Sequence, residues 1–306
     1  MNIITKNNAQ IFLILNAVLW GSSYIWSKML LGFLPQFSIL FICAVLGLGS
    51  TVVLFRKKLQ GFSKKIVVTC VLISLVSVVS NTFCMLALKR TSGSNTAFIV
   101  QLAIVITPVI MAVLEKKAPT RKTIILAMTA MIGIYFITFA GKGFSINIGD
   151  IFALCNAIFF SLFIALQNKF SNVFTPVQFT FIQHSTNIVS FLALALIFET
   201  GKIYLSNVVN PVFLLLICLN AAVTIFTSLF QSSAIKFVRP ENAAITYALE
   251  PVVTASLGIL LLGERFTGIL SVIGCVIILF TIIVSAFKKG KAVTRQSLKI
   301  RITTKA

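Results

Sequence analysis

The sequence predicts an all-α integral membrane protein of ten transmembrane helices, arranged as two inverted repeats of five. Three observations predict it: the apolar composition, ten mostly apolar stretches of spanning length, and features that recur some 140 to 147 residues apart. Of 306 residues, 58% are hydrophobic and 10% charged, against about 45–50% and about 25% in a soluble domain. Crossing about 30 Å of hydrocarbon takes about 20 apolar residues per helix, because backbone groups there must be satisfied without water.

The stretches lie at 9–31, 35–56, 65–88, 94–115, 121–140, 149–170, 177–198, 209–235, 242–262 and 266–287. They are continuous rather than alternating and about twice the length of a barrel strand, which argues against a β-barrel. The first carries Asn16, Trp20 and Lys28 and lacks a small-residue cleavage pattern, so it is kept as a helix rather than a signal peptide. The resulting organisation is an N-terminus at 1–8, a first five-helix repeat at 9–140, a second at 149–287 and a basic tail at 288–306.

The net charge of +20 invites a nucleic-acid reading, but the placement of the charges opposes it. With both termini in the cytoplasm, the inside segments carry Lys6, five Lys/Arg at 56–65, Lys116, Lys117, Arg121, Lys122, Lys169, Lys236, Arg239 and the seven of the tail. The outside segments carry Lys28, Lys89, Arg90, Lys142, Lys202 and Arg265. This follows the positive-inside rule, and an even helix number keeps the basic tail with the basic loops. The expected partners are the lipid bilayer and a small-molecule substrate, with a homodimer as an open alternative, and no nucleic acid. Composition suggests a bacterial inner membrane.

Cysteines 43, 70, 84, 155, 218 and 275 all fall in apolar stretches without a CxxC or Cys/His cluster, and His184 is the single histidine. No metal site and no cofactor are therefore expected.

Pro35, Pro119, Pro176, Pro211 and Pro240 stand at helix starts, where a missing N–H costs nothing. Pro108 and Pro251 fall inside the fourth helix of each half and are expected to break it. Interrupted helices at matching places in two halves are the usual mark of a solute site. Polar series share single helix faces: Asn16, Trp20, Ser23 and Ser27; Asn156, Phe160, Phe163 and Gln167; Asn220, Thr224, Thr227 and Gln231; and, more weakly, Ser74, Ser77, Asn81 and Cys84. These faces look inward. Five helices per half, an odd number, make the second half run opposite to the first. The loop after helix two accordingly carries five Lys/Arg, and its counterpart after helix seven only Lys202.

Leu19-Trp20-Gly21-Ser22-Ser23-Tyr24, Ala87-Leu88-Lys89-Arg90-Thr91-Ser92 before Asn95-Thr96-Ala97-Phe98, and Tyr247-Ala248-Leu249-Glu250-Pro251-Val252-Val253 before Leu260-Leu261-Leu262-Gly263-Glu264-Arg265 resemble the EamA-type branch of the drug/metabolite transporter superfamily. The resemblance covers residues 9–287. It implies export or exchange of small metabolites such as amino acids by alternating access. Helix six departs from it with Phe160-Ser161 where a second Trp-Gly would stand, and helix four lacks a Glu-Pro pair.

Glu250 is the one carboxylate near mid-membrane, a costly position that is functional by default. It could hold a proton or a cargo ammonium group, or accept local hydrogen bonds where Pro251 disturbs the helix. His184, beside Gln183 and Asn187, is a candidate proton relay or a core histidine. Gln101 and Asn81 could bind the polar ends of a zwitterion or join helices. Asn156 and Phe160 belong to the inward series, and Trp20, Tyr24 and Tyr247 could line the cargo's apolar side or simply pack. Small residues at Ala127, Ala130 and Gly133 and at Gly268, Ser271 and Gly274 serve close packing within the monomer or, alternatively, a homodimer.

An enzyme is not expected: the chain has no HExxH or GxSxG motif and no paired carboxylates on one helix. A multidrug or cation efflux protein and an uncoupled facilitator or channel are the alternatives. The first is disfavoured by Asn16, which stands where small multidrug-resistance relatives have a helix-one glutamate.

Overall fold

The computed structural model describes residues 4–138, 147–200, 210–263 and 269–286. The basic tail, Lys142, Lys202, Glu264, Arg265 and Gly268 lie outside the described residues, as does the side chain of Ser271. The described chain is helical: α1 (Ala9–Leu30), α2 (Gln36–Phe55) with a 3₁₀ turn Arg56–Lys58, α3 (Lys64–Arg90), α4 (Gly93–Val100), α5 (Ala103–Glu115), α6 (Arg121–Thr138), α7 (Ile148–Lys169), α8 (Pro176–Phe198), α9 (Pro211–Ala234), α10 (Pro240–Tyr247), α11 (Glu250–Leu262) and α12 (Ile269–Ala286). Eight spans among the described residues are long and apolar enough to cross a membrane, Gly93–Glu115 and Pro240–Leu261 counting as one each. Large apolar side chains cover the outside, with Val53, Val113, Val189, Leu260 and Ile269 each at least 70% exposed. In water such a surface would drive aggregation; in a bilayer it is the lipid contact. The protein is a multi-pass membrane protein.

Helix starts follow local chemistry. The side chains of Ser63, Ser92, Thr175 and Asn210 cap α3, α4, α8 and α9, and Asn147 with Asp150 closes a capping box on α7. Cross-links between helix ends define two faces. On the near face, where α1 begins, Gln178 donates to the carbonyls of Gln60 and Gly61, Lys122 to Val284 O, and Arg239 pairs with Glu115 and Glu241. On the far face Lys89 donates to Gln36, Asn95 to Asp150, and Phe37 N and Ser38 N donate to Glu199 at 2.7 and 2.9 Å.

Elements recur at steady spacing. α4 and α5 are followed 147 residues later by α10 and α11 of equal length, and α6 is followed 148 residues later by α12. The left-handed C-caps Lys116 (φ 53°) and Gly263 (φ 66°) stand 147 apart. A joint recurs as well: Lys28 Nζ donates to the carbonyls of Leu88 and Thr91 on the far face, and Asn168 Nδ2 to those of Ile235 and Val238 on the near face.

The expected break at Pro108 lies elsewhere. α5 runs through Pro108, and the first interruption is at Gln101 and Leu102, where hydrogen bonds shorten to three-residue spacing. A proline removes the bond to the carbonyl four residues back; at Pro108 this is Ile104 inside α5, and the helix absorbs the loss. Pro251 does sit at its interruption, two residues beyond Leu249, opposing the carbonyl of Tyr247.

One residue of each small-residue stripe, Gly133 of α6 and Gly274 of α12, meets the other inside the chain: a Cβ on Gly133 would come within 3.0 Å of Gly274 O, a contact of intramolecular packing. The larger apolar core, from Leu13 and Ile73 to Ile164, Ile235 and Ile245, fills the near half. A smaller one, with Leu30, Ile39, Leu88 and Phe213, lies towards the far face.

Candidate functional site

Between these cores lies a cavity of about 150 Å³. Trp20, Ser23, Tyr24 and Ser27 of α1, Cys43 of α2, Ser77, Ser80, Asn81 and Cys84 of α3, Asn156 and Phe160 of α7, Gln183 and Asn187 of α8, Asn220, Thr224 and Thr227 of α9, and Glu250 of α11 line it, their polar groups set among apolar side chains such as Leu40, Met85, Val100 and Phe191 that make up the larger part of the wall. It sits in the middle and far half. With a rise of about 1.5 Å per residue, Trp20 is about 16 Å from the start of α1, whereas Ser27 is one turn from its end.

The two interruptions meet at this wall. Gln101 Nε2 donates to Glu250 Oε2 at 3.0 Å, and Tyr24 OH donates to the same oxygen at 3.3 Å. Glu250 is 1% exposed, and its Oε1 has no hydrogen-bond partner among the described residues. The helix is held against α1 by Gly21: a Cβ there would lie 2.8 Å from Glu250 O, and Thr254 Oγ1 donates to Gly21 O at 2.8 Å. A glycine at this place lets the two backbones touch.

On the near side the cavity is closed. Asn16 Nδ2 donates to Tyr247 OH at 3.1 Å, Tyr247 OH donates to Gln231 Oε1 at 3.1 Å, and Gln231 Nε2 donates to Gln167 Oε1 at 2.7 Å. Above this chain the rings of Trp20, Phe160 and Tyr247 pack with centroids 5.1–5.8 Å apart. Four helices, α1, α7, α9 and α10, thus join in one floor.

Of the expected site residues, Trp20, Tyr24, Asn81, Asn156, Phe160 and Glu250 line the cavity. Gln101 stands behind Glu250, and Asn16 and Tyr247 form the floor. His184 is elsewhere: its ring lies fully buried against Gly47 of α2, within 2.7 Å of where a Cβ would be, and neither ring nitrogen has a partner among the described residues. Residues one apart on a helix point about 100° apart, so His184 turns away while Gln183 and Asn187 face the cavity. Asn156 is tied by Nδ2 to Ser80 O, and Asn220 to Ser27 Oγ. Sequence reasoning missed Ser80 and Ser228, whose small hydroxyls carry no pattern of their own.

A carboxylate-bearing cavity within a lipid-exposed helical bundle is the arrangement of a membrane transporter, and the similarity to known proteins agrees. The chain belongs to the EamA-like transporter family, whose profile matches it twice, over residues 7–139 and 147–287. It is 27% identical over 280 residues to an uncharacterised transporter of Archaeoglobus fulgidus, covering 90% of this chain and 85% of that one. A solved crystal structure, at 16% identity, shares the fold with a TM-score of 0.75 over 92% of this chain and 99% of its own.

Proposed function

We propose that the protein carries small metabolites, amino acids or related compounds, across the bacterial inner membrane by alternating access. In this reading, residues 9–140 and 149–287 are inverted five-helix repeats that make ten spans, and both termini are cytoplasmic. The twofold family match, the 147-residue spacing of the interrupted helices and the joint made once on each face support the repeat. The near face is then the cytoplasm by its Lys and Arg content. The observation that carries the function is a cavity with clustered polar groups and an intramembrane carboxylate, floored on the near side. Rocking the two bundles would separate Asn16 from Tyr247 and open the other side.

Size weighs against multidrug efflux. A cavity of about 150 Å³ is what benzene fills, whereas drug-sized ligands occupy about 300–1,000 Å³. The closed floor weighs against an open channel.

The test is export: bacteria expressing wild type or Glu250→Gln are loaded with a dipeptide mixture, and amino acids in the medium are profiled. Wild type raising one class above empty cells supports the reading. An unchanged medium despite confirmed membrane expression sinks it for amino acids.

A further inference from the structure

We infer that the cargo is a small primary amine or amino acid held through its ammonium group at Glu250, and that simple carboxylic acids are refused. The inference rests on the reading of the cavity as the cargo site and adds its charge selectivity.

The described residues lining the cavity include one charged group, Glu250, and no Lys, Arg or His. Among the described residues the donors that reach this carboxyl, Gln101 and Tyr24, converge on Oε2 and leave Oε1 unpartnered in a side chain that is 1% exposed. A buried oxygen without a donor is destabilising, and an ammonium group supplies three donors and the opposing charge. A carboxylate cargo would bring a second negative charge into a site without a counter-cation, in surroundings that screen poorly. A zwitterion fares better, because the amides of Asn81, Gln183 and Asn187 line the same cavity, and Asn81 and Gln183 each donate to Ser77 Oγ with one of the two N–H groups an amide carries, leaving the other for the cargo's carboxylate. The charge argument therefore ranks an amine at least level with its parent amino acid, and both above the acid lacking nitrogen. The volume limits the cargo to about six to ten non-hydrogen atoms.

The cavity carries its own reporter. Trp20 lines it, and Trp26 is the other tryptophan of the sequence and lies off the wall. Purified Trp26→Phe protein is titrated with isopentylamine, leucine and 4-methylpentanoate while Trp20 emission is followed. Isopentylamine and leucine are expected to give saturable shifts, and 4-methylpentanoate none at about tenfold higher concentration. Adding Glu250→Gln, checked for monodispersity and helicity, should weaken isopentylamine about tenfold or more. Equal binding of 4-methylpentanoate and isopentylamine, or no response to any of the three, overturns the inference without recourse to a variant. Unchanged amine affinity in folded Glu250→Gln also overturns it. Amino-acid counterflow in proteoliposomes separates the two readings: exchange without amine preference removes this inference and leaves transport standing, whereas saturable amine binding without exchange does the reverse.

Discussion

Gln101 and Glu250, 149 residues apart, are hydrogen-bonded at 3.0 Å; Gln101 lies in the tightened turn of one interrupted helix, and Glu250 opens the helix that follows the tightened turn of the other. The bond ties the first half to the second at the cavity wall. Replacing Gln101 by leucine removes one of the two donors on Oε2, and should lower unfolding free energy by about 1–3 kcal/mol. Amino-acid release should fall with it. Denaturation in detergent beside the export assay checks both; unchanged release would make Gln101 mere packing.

Gly21→Ala places a methyl 2.8 Å from Glu250 O and from Val253 Cβ. One of these contacts is backbone, so α1 and α11 must part, at a cost of about 1–3 kcal/mol. Thermal unfolding should show the loss, and transport should fall more than for Gly49→Ala, where a Cβ meets nothing within 4 Å.

Glu199 ends α8 at 2% exposure and accepts bonds from Phe37 N, Ser38 N and Ser38 Oγ, capping the start of α2 with negative charge. Glu199→Ala should cost about 2–4 kcal/mol, the sum expected for lost charge-assisted bonds and stranded donors. Ser38→Ala should cost less than half of that, since the backbone bonds survive. Equal effects of the two would contradict the capping role.

Tyr247→Phe removes the hydroxyl that bridges Asn16 and Gln231. In protein whose only cysteine is Cys84, on the cavity wall, an impermeant maleimide should react from the far face in the parent and from both faces in the variant. Labelling of the parent from the near face would show that the floor is not closed.

His184→Leu should leave transport within about twofold of wild type and stability unchanged or raised, because it removes two unpartnered buried nitrogens. Loss of transport in a well-folded variant would restore the relay reading.

The polar series were legible because helical spacing assigns residues to a face. Trp20, Ser23 and Ser27 of α1 do line the cavity, as do Asn156 and Phe160 of α7 and Asn220, Thr224 and Thr227 of α9. Periodicity says nothing of depth, however, so Asn16, Gln167 and Gln231, the near-face ends of those same series, read as wall and are floor. Pro108 misled for a different reason: a proline marks a missing hydrogen bond, and a helix can lose one without interruption. Nothing in the sequence marks Glu199 as the cap of α2, because its partners lie some 160 residues away. Adjacency likewise misplaced His184, which shares a sequence neighbourhood but not a direction with Gln183 and Asn187.

The joints made by Lys28 and Asn168 carry a mechanical consequence. Each latches the end of a first helix to the corner where a third helix gives way to a fourth. Corners pinned in this way are braced against their neighbours, whereas the short turns at 101–102 and 248–249 replace four-residue hydrogen bonds by three-residue ones. The two tightened turns are set beside the cavity's own carboxylate, so that whatever grips Glu250 sits against both of them.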